Sequence, residues 1–330
     1  MRPLHASTYY LPNISVITPS LNQADFIPQT IESVFLQKYP ALEYMVIDGG
    51  STDHTLEILH SHEKSLKWIS EPDAGQSAAI NKGWQMTGGE ILAWLNSDDL
   101  LRPDALQTVA TIFQESPETV MVYGDADFID ADGEIIGPYP TGNWNYLNFL
   151  KNVTNFLPQP SVFIRREAIA RAGWLDESLH YLMDYDLFLR VGLNGKVQKS
   201  PATLSAMRLH ADAKSLRALK GFGAEMVNVI ERTFDSGKLP DDLLAYRSEA
   251  MHKARLYAAS TTYWGGDVKE ARVWLTQCWQ QTSWPQIPTS LIRLSLLSAF
   301  GQAGLKWAER WPGNPFTRTL THRKETRSTP

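Results

Sequence analysis

Between residues 14 and 99 the chain alternates short β-branched runs with amphipathic segments: ISVITPS, DFIPQTIESVFLQ, EYMVIDGG, TDHTLEILHSHE, LKWISEPD, GQSAAINKGWQMT and EILAWLNSDD. A buried strand followed by a helix of these lengths is a βαβ unit, and successive units build a parallel sheet. The pattern predicts an α/β fold with a mostly parallel central sheet. Each strand-like run also ends on polar residues: TPS, DGGSTD, EPDAGQS and NSDD. In open α/β sheets ligands sit outside the carboxyl ends of the strands. Four polar strand ends are therefore expected to line one crevice.

The apolar run ILAWLNSDDL stops on two adjacent aspartates, Asp98 and Asp99. Such a pair can cap the helix that DDLLRPDAL would start. Its surroundings suggest more, because Asp48 and Asp73 are expected in the same crevice and their mutual repulsion is costly without a counter-charge. Hard oxygen ligands in a Gly-rich crevice suit a divalent cation carrying a diphosphate.

Charge and cysteine usage narrow the setting. A net charge of -5 argues against nucleic acid as the main partner, since a phosphate-binding footprint is strongly basic. The single cysteine, Cys278, has no internal disulfide partner, and MRPLHASTYYLPNISVITPS lacks the apolar stretch of a signal peptide. No run of about 20 apolar residues is present to span a bilayer. A cytoplasmic location is the expectation.

With 330 residues, 43% of them hydrophobic, the chain can form two domains. From about residue 213 the spacing turns helical in AEMVNVIERTF, LLAYRSEAMHKARLYAASTTYW and VKEARVWLTQCWQQ. ARLYAASTTYWGGDVKEARVWLTQC reads as a helix, a Gly-Gly turn and a helix, and one such unit does not make a repeat. The expected division is residues 1–215, a helical region 216–305, and a disordered basic tail 306–330. SLIRLSLLSAFGQAGLKWAERW is amphipathic, and Lys306 to Pro330 holds six Lys or Arg against two Glu. That combination suits peripheral contact with an anionic membrane surface, and equally a helix packed on the rest of the protein followed by a solvated tail.

Several ordered stretches, SVITPSLNQADFIPQTIESVFLQKYPALEYMVIDGGSTDHTLEIL, SEPDAGQSAAINKGW, GGEILAWLNSDDLLRPDAL, YGDADFIDADGEII and MDYDLFLR, resemble the successive motifs of inverting family 2 glycosyltransferases with the GT-A fold. The resemblance runs from about Asn13 to Ser215. It implies a hexosyltransferase-like enzyme that uses a nucleotide-diphospho-sugar donor and a divalent cation, Mn2+ or Mg2+. The implied acceptor is a growing surface polysaccharide or lipid-linked glycan.

The resemblance also assigns residues. Thr18, Pro19 and Ser20 close the first strand beside the nucleotide. Asp48 accepts a hydrogen bond from the base, and a carboxylate suits the imino N–H of uracil, thymine or guanine. Uridine and thymidine diphosphates are favoured, guanosine next. Asp73 is the next nucleotide-proximal acid, and Gln76, Asn81 and Lys82 lie near the sugar-phosphate. Where relatives carry Asp-x-Asp, this chain has Asn96, Ser97 and Asp98, a departure that implies lower metal affinity or weaker metal dependence. Asp98 is then the direct ligand, Asn96 is placed to bond the donor ribose or sugar, and His210 in AMRLHADAKS is the second metal ligand. Asp184 matches the catalytic base, and Asp99, Asp186 and Arg190 support it and the acceptor.

Near that base, NWNYLNFLKNVTNFLPQPS carries Trp144, Tyr146 and Phe149, an aromatic and amide surface suited to an acceptor sugar and equally to core packing. YGDADFIDADGEIIGPYP lacks the terminal Glu of an EF-hand and reads as a strand with a hairpin turn at DADGE. Two other functions compete. A sugar nucleotidyltransferase needs a Gly-rich basic loop near the first strand, and none is seen. An inactive, transferase-like interaction protein is motivated by Asn96 and the helical region.

Overall fold

A computed structural model describes residues 10–210, 219–281 and 287–301. Strand β1 (Ile14–Ser20) is buried at every position, as a strand with neighbours on both edges and helices on both faces must be. It pairs in parallel with β2 (Leu42–Asp48) and β4 (Ile91–Trp94), and β2 pairs in parallel with β3 (Lys67–Ser70). The crossovers are α1 (Ile27–Phe35), α2 (Thr55–Ser61) and α3 (Gln76–Met86). In α1, Pro28 occupies the first turn, where a missing N–H costs nothing, and Ile27, Thr30, Ile31 and Val34 form its buried stripe. Helix α3 lies so close to β1 that a Cβ on Gly83 would stand 2.6 Å from Ile17 Cγ2, so glycine is needed there.

All four strands run the same way, so Ser20, Asp48, Ser70 and Trp94 end at one edge of the sheet. The chain leaves β1 toward β2 and β3, then returns on the other side of β1 as β4. That reversal is the switch point where α/β sheets open a crevice.

The second half completes the sheet with β5 (Leu100–Leu101), α4 (Ala105–Glu115), β6 (Thr119–Ile129), β7 (Ile135–Pro138), α5 (Tyr146–Asn152), a 3-10 turn (Gln159–Ser161), β8 (Val162–Arg165), α6 (Arg166–Ala172), α7 (Met183–Gly192) and β9 (Lys196–Arg208). The strand order is β3-β2-β1-β4-β8-β6-β9-β5, with β7 paired to β6. Strand β8 is antiparallel to both β4 and β6, while β9 is parallel to β6 and antiparallel to β5. The sheet is thus parallel through β1–β4 and mixed beyond. The β6–β7 hairpin turns at the DADGE stretch, where Asp130 Oδ1 accepts the backbone N–H groups of Asp132 and Glu134.

The chain divides into two compact units, Met1–Leu150 with Thr154–Ala213, and Lys151–Val153 with Lys214–Pro330. In the second, the helices among the described residues are α8 (Leu219–Asp235), α9 (Asp241–Leu244), α10 (Arg247–Trp264), α11 (Val268–Gln281) and α12 (Thr289–Ala299). Helices α10 and α11 are joined at Gly265 and Gly266, the helix, turn and helix expected there. Ala259, Tyr263, Ala271, Leu275, Cys278, Leu291, Leu294 and Leu297 form their shared core. The tail 306–330 lies outside the described residues. No helix among the described residues is long and apolar enough to cross a membrane.

Candidate active site

The parallel edge is built from two loops stitched to each other. After β2, Asp48 Oδ2 accepts the backbone N–H groups of Gly50 (3.0 Å) and Ser51 (2.9 Å) and the Ser70 hydroxyl (2.7 Å). Its Oδ1 accepts the Ser51 hydroxyl at 2.5 Å. A fully buried carboxylate serving four internal donors anchors its own turn, a competition that short acidic side chains often win at strand ends. Asp48 therefore shapes the loop from within, which differs from the expected outward contact to a base. Asp73, by contrast, is exposed, and its carboxylate lies over Gly49, where a Cβ would stand 3.1 Å from Asp73 Oδ2. At the end of β1, Thr18 Oγ1 pairs with the Tyr44 hydroxyl at 3.2 Å. The Ser20 hydroxyl is buried with no hydrogen-bond partner among the described residues, the kind of orphan group that a water or ligand satisfies.

At the end of β4, the turn Asn96–Asp99 carries the acidic pair. Asp98 Oδ2 meets His210 Nε2 at 3.0 Å, with the imidazole buried and the carboxylate 23% exposed. Long-range pairing makes this contact: β9 runs beside β5, with Leu100 opposite Ala206, and so delivers His210 to the turn. Asp99 points inward, its Oδ1 accepting Arg208 N–H (3.0 Å) and its Oδ2 accepting Asn96 Nδ2 (3.1 Å). Burial first, and the charge of Asp98 second, push the Asp99 carboxyl well above the usual carboxylate range. Ser97 is buried, and its carbonyl accepts the Thr30 hydroxyl at 2.9 Å.

Asn96 has its amide consumed. Its Oδ1 accepts Gln76 Nε2 (2.7 Å), and its Nδ2 faces Asp99 Oδ2 and Gln159 Oε1 (3.2 Å). Gln159 is itself held by a bond from its Nε2 to the Trp94 carbonyl at 2.8 Å. The expected contact of Asn96 with a donor sugar is therefore not prepared in this arrangement.

Arg208 was legible in the sequence as a neighbour of His210 and nothing more. Its guanidinium donates to the carbonyls of Asp98, Asp130 and Ala131 and to Gln29 Oε1. It also lies 5.1 Å over the Phe26 ring, which packs on His210 at 4.5 Å between centroids. One buried arginine thus ties the Asn96–Asp99 turn to the hairpin and to α1.

Helix α7 supplies the remaining acids. Asp184 sits in its first turn, half-buried, with Oδ2 accepting Asn155 Nδ2 (2.9 Å) and Oδ1 accepting the Tyr185 backbone N–H (2.7 Å). The Tyr139 hydroxyl, held up by burial and then by the charge of Asp184, donates to the Asn155 carbonyl. Asn155 and Gln159 stand four residues apart on one segment, so that segment touches Asp184 at one end and Asn96 at the other. Neither residue carries a local signal in the sequence.

Several expected site residues serve the framework. Asp186 is buried in an ion pair with Arg190 at 2.7 Å, and Arg190 also donates to the carbonyls of Ala172, Gly173 and Trp174. The pair braces the end of α6 against α7. Asn81 exchanges both of its amide groups with the backbone of Leu175, and Lys82 pairs with Glu71 at 2.5 Å. The Trp144 ring packs against Phe149 at 5.0 Å and over Gly192, which places it in packing rather than on an open platform.

The donor set suits a divalent cation. Asp98 offers a carboxylate oxygen and His210 an imidazole nitrogen, and such sites complete their shell with substrate oxygens and water. Among the described residues there is no cluster of three His, Cys, Asp or Glu side chains placed to hold a metal. Asn96, with its oxygen already bonded, is not part of the donor set.

Comparison with known proteins bears on the family and the fold. The Glycosyl transferase family 2 model matches residues 15–177. The O-antigen biosynthesis protein RfbC of Myxococcus xanthus is 31% identical over 188 residues, 54% of this chain and 14% of that protein. An uncharacterised glycosyltransferase of Mycobacterium tuberculosis is 31% identical over 186 residues, 55% of this chain and 70% of its own length. Among solved structures, S. aureus TarS 1–349 in complex with UDP-GlcNAc aligns with a TM-score of 0.64 at 16% identity, covering 89% of this chain and 88% of that one. The mannosyltransferase PcManGT of Pyrobaculum calidifontis, in complex with GDP-Man and Mn2+, aligns at 0.58 with 17% identity, covering 95% and 84%. At those identities the structural likeness concerns the fold.

Proposed function

The chain belongs to glycosyl transferase family 2, and on that premise we propose that it moves a sugar, with inversion, from a nucleotide-diphospho-sugar to a hydroxyl of a glycan or lipid-linked acceptor. The observation that carries this reading is the contact of Asp98 with His210, 3.0 Å apart at the carboxyl edge of the parallel strands. Neighbours of the same fold bound to UDP-GlcNAc and to GDP-Man with Mn2+ support a nucleotide-sugar donor. UDP or TDP donors are preferred here, with Asp73 offering its carboxylate to the base and Asp48 fixing the loop beneath it.

The chemistry asks little covalent work of the protein. Asp98 and His210 would hold the cation, Mn2+ or Mg2+, which neutralises charge gathering on the leaving diphosphate. Asp184 takes the proton of the acceptor hydroxyl as that oxygen bonds to the anomeric carbon and the bond to the diphosphate breaks. Attack from the opposite face inverts the centre, and no sugar-enzyme bond forms. Asn155 and the Tyr185 N–H hold the Asp184 carboxylate in one orientation for that transfer.

Thermal unfolding against UDP, TDP, GDP and CMP, each with and without Mn2+, tests the proposal. A diphosphate at about 100 times its dissociation constant is expected to add roughly 2.7 kcal/mol of stability when Mn2+ is present. No shift with any nucleotide in folded protein would instead favour a non-catalytic interaction protein. In the same assay Asp98→Ala is expected to weaken Mn2+-dependent nucleotide binding by more than the roughly 10–100-fold that loss of a residue supporting a metal ligand costs. Undiminished binding would move the cation away from Asp98.

A further inference from the structure

We infer that the outward face of α12 docks on an anionic lipid surface. Helix α12 is apolar on two sides. Leu291, Leu294 and Leu297 face the core around Tyr263, as a helix of a packed unit requires. Ile292, Leu296 and Phe300 recur every four residues on another side and stand 42%, 60% and 71% exposed. At helical spacing they form one stripe. Trp279 of α11, itself 40% exposed, donates its indole N–H to Ser295 Oγ at 2.9 Å and so stands beside that stripe. Contiguous exposed apolar residues of this kind mark a surface that is covered in use.

Charge identifies what covers it. After Gln286 the sequence holds seven Lys or Arg and two Glu, a net +5, whereas the first 286 residues carry net −10. Helix α12 itself contains Arg293 and no acidic residue. The residues beyond it add Trp307, Trp311 and Phe316 among the basic residues, the side chains enriched where lipid meets water. An apolar stripe followed by concentrated positive charge on an otherwise acidic protein complements an anionic bilayer on both counts. A second copy of the chain is the poorer fit, because it would bring two such basic segments together. This inference is independent of the transferase chemistry.

Cosedimentation of the full chain with vesicles tests it. Binding to mixed phosphatidylglycerol and phosphatidylcholine vesicles is expected, with little binding to phosphatidylcholine alone and loss of binding at high salt. The Leu296→Glu/Phe300→Glu variant changes exposed positions and is expected to bind at least about tenfold more weakly. An Arg323→Gln/Lys324→Gln/Arg327→Gln variant, which leaves α12 intact, is expected to weaken binding by a similar factor. Both variants should keep the wild-type thermal shift with nucleotide, which separates a failure here from a failure of the donor site. Absence of vesicle binding overturns the inference, as does binding that both variants retain. A dimer in solution that the α12 variant dissociates would assign the stripe to a second copy and overturn it equally.

Discussion

Asp184→Asn is expected to reduce sugar transfer by about 10²–10⁴-fold while Mn2+-dependent nucleotide binding stays unchanged. The substitution preserves shape and removes the proton acceptor. The carboxylate is held by donors on both oxygens, Asn155 Nδ2 on Oδ2 and the Tyr185 N–H on Oδ1. An amide can serve one of these donors and must turn its NH2 toward the other, which adds a modest local cost of about 1 kcal/mol. That cost can be measured as a shift in the urea midpoint and set apart from the kinetic effect. The separation matters because Asp186, two residues on, is a buried structural acid whose loss would unpair Arg190 and lower activity by disturbing the fold. Transfer that continues at the wild-type rate in Asp184→Asn would remove Asp184 as the base and leave the proton to another group.

What could be read from the sequence divides along a physical line. Strands β1 to β4 and their helices announce themselves through local periodicity, and the polar residues that end each strand mark the crevice. The hairpin at Asp130–Glu134 and the turn at Gly265–Gly266 are local too, and local turn chemistry is written in neighbouring residues. The direction of a side chain at a strand end is not local. Asp48 and Asp73 look alike as acids after successive strands, yet one is swallowed by its own turn and the other is exposed over Gly49. The resemblance places Asn81 and Arg190 at the site, yet Asn81 bonds the Leu175 backbone and Glu177, and Arg190 bonds Asp186 and the carbonyls of Ala172, Gly173 and Trp174. Asn155, Gln159 and Arg208 were missed because each reaches its partner across the fold, Arg208 to the Asp98 carbonyl across 110 residues of sequence. The sheet order that brings β9 beside β5 is what creates those contacts, and no window of sequence contains it.

Asn96→Asp introduces the Asp-x-Asp pattern that the family resemblance implies for this turn, and it is expected to cost about 3 kcal/mol of stability without tightening Mn2+-dependent nucleotide binding. The reason is the direction of the existing hydrogen bonds. Asn96 Nδ2 donates toward Asp99 Oδ2 and Gln159 Oε1, and a carboxylate would turn both contacts into oxygen against oxygen. Gln159 has no easy rotation to offer, because its Nε2 is spent on the Trp94 carbonyl. Gln76 Nε2 can still serve one oxygen of the new carboxylate, which compensates one contact of the three. A new negative charge would also stand beside Asp98 and the buried Asp99, whose carboxyl is already pushed above the usual carboxylate range by burial and by the charge of Asp98. Urea unfolding should therefore show a lower midpoint at constant slope, and Mn2+ titration of nucleotide binding should show no gain. An unchanged midpoint with tighter Mn2+-dependent binding would mean that the two glutamine amides rearrange around the carboxylate. Residue 96 would then be open to serve as a metal ligand, where the present geometry makes it a neutral pin whose amide is taken by Gln76, Asp99 and Gln159.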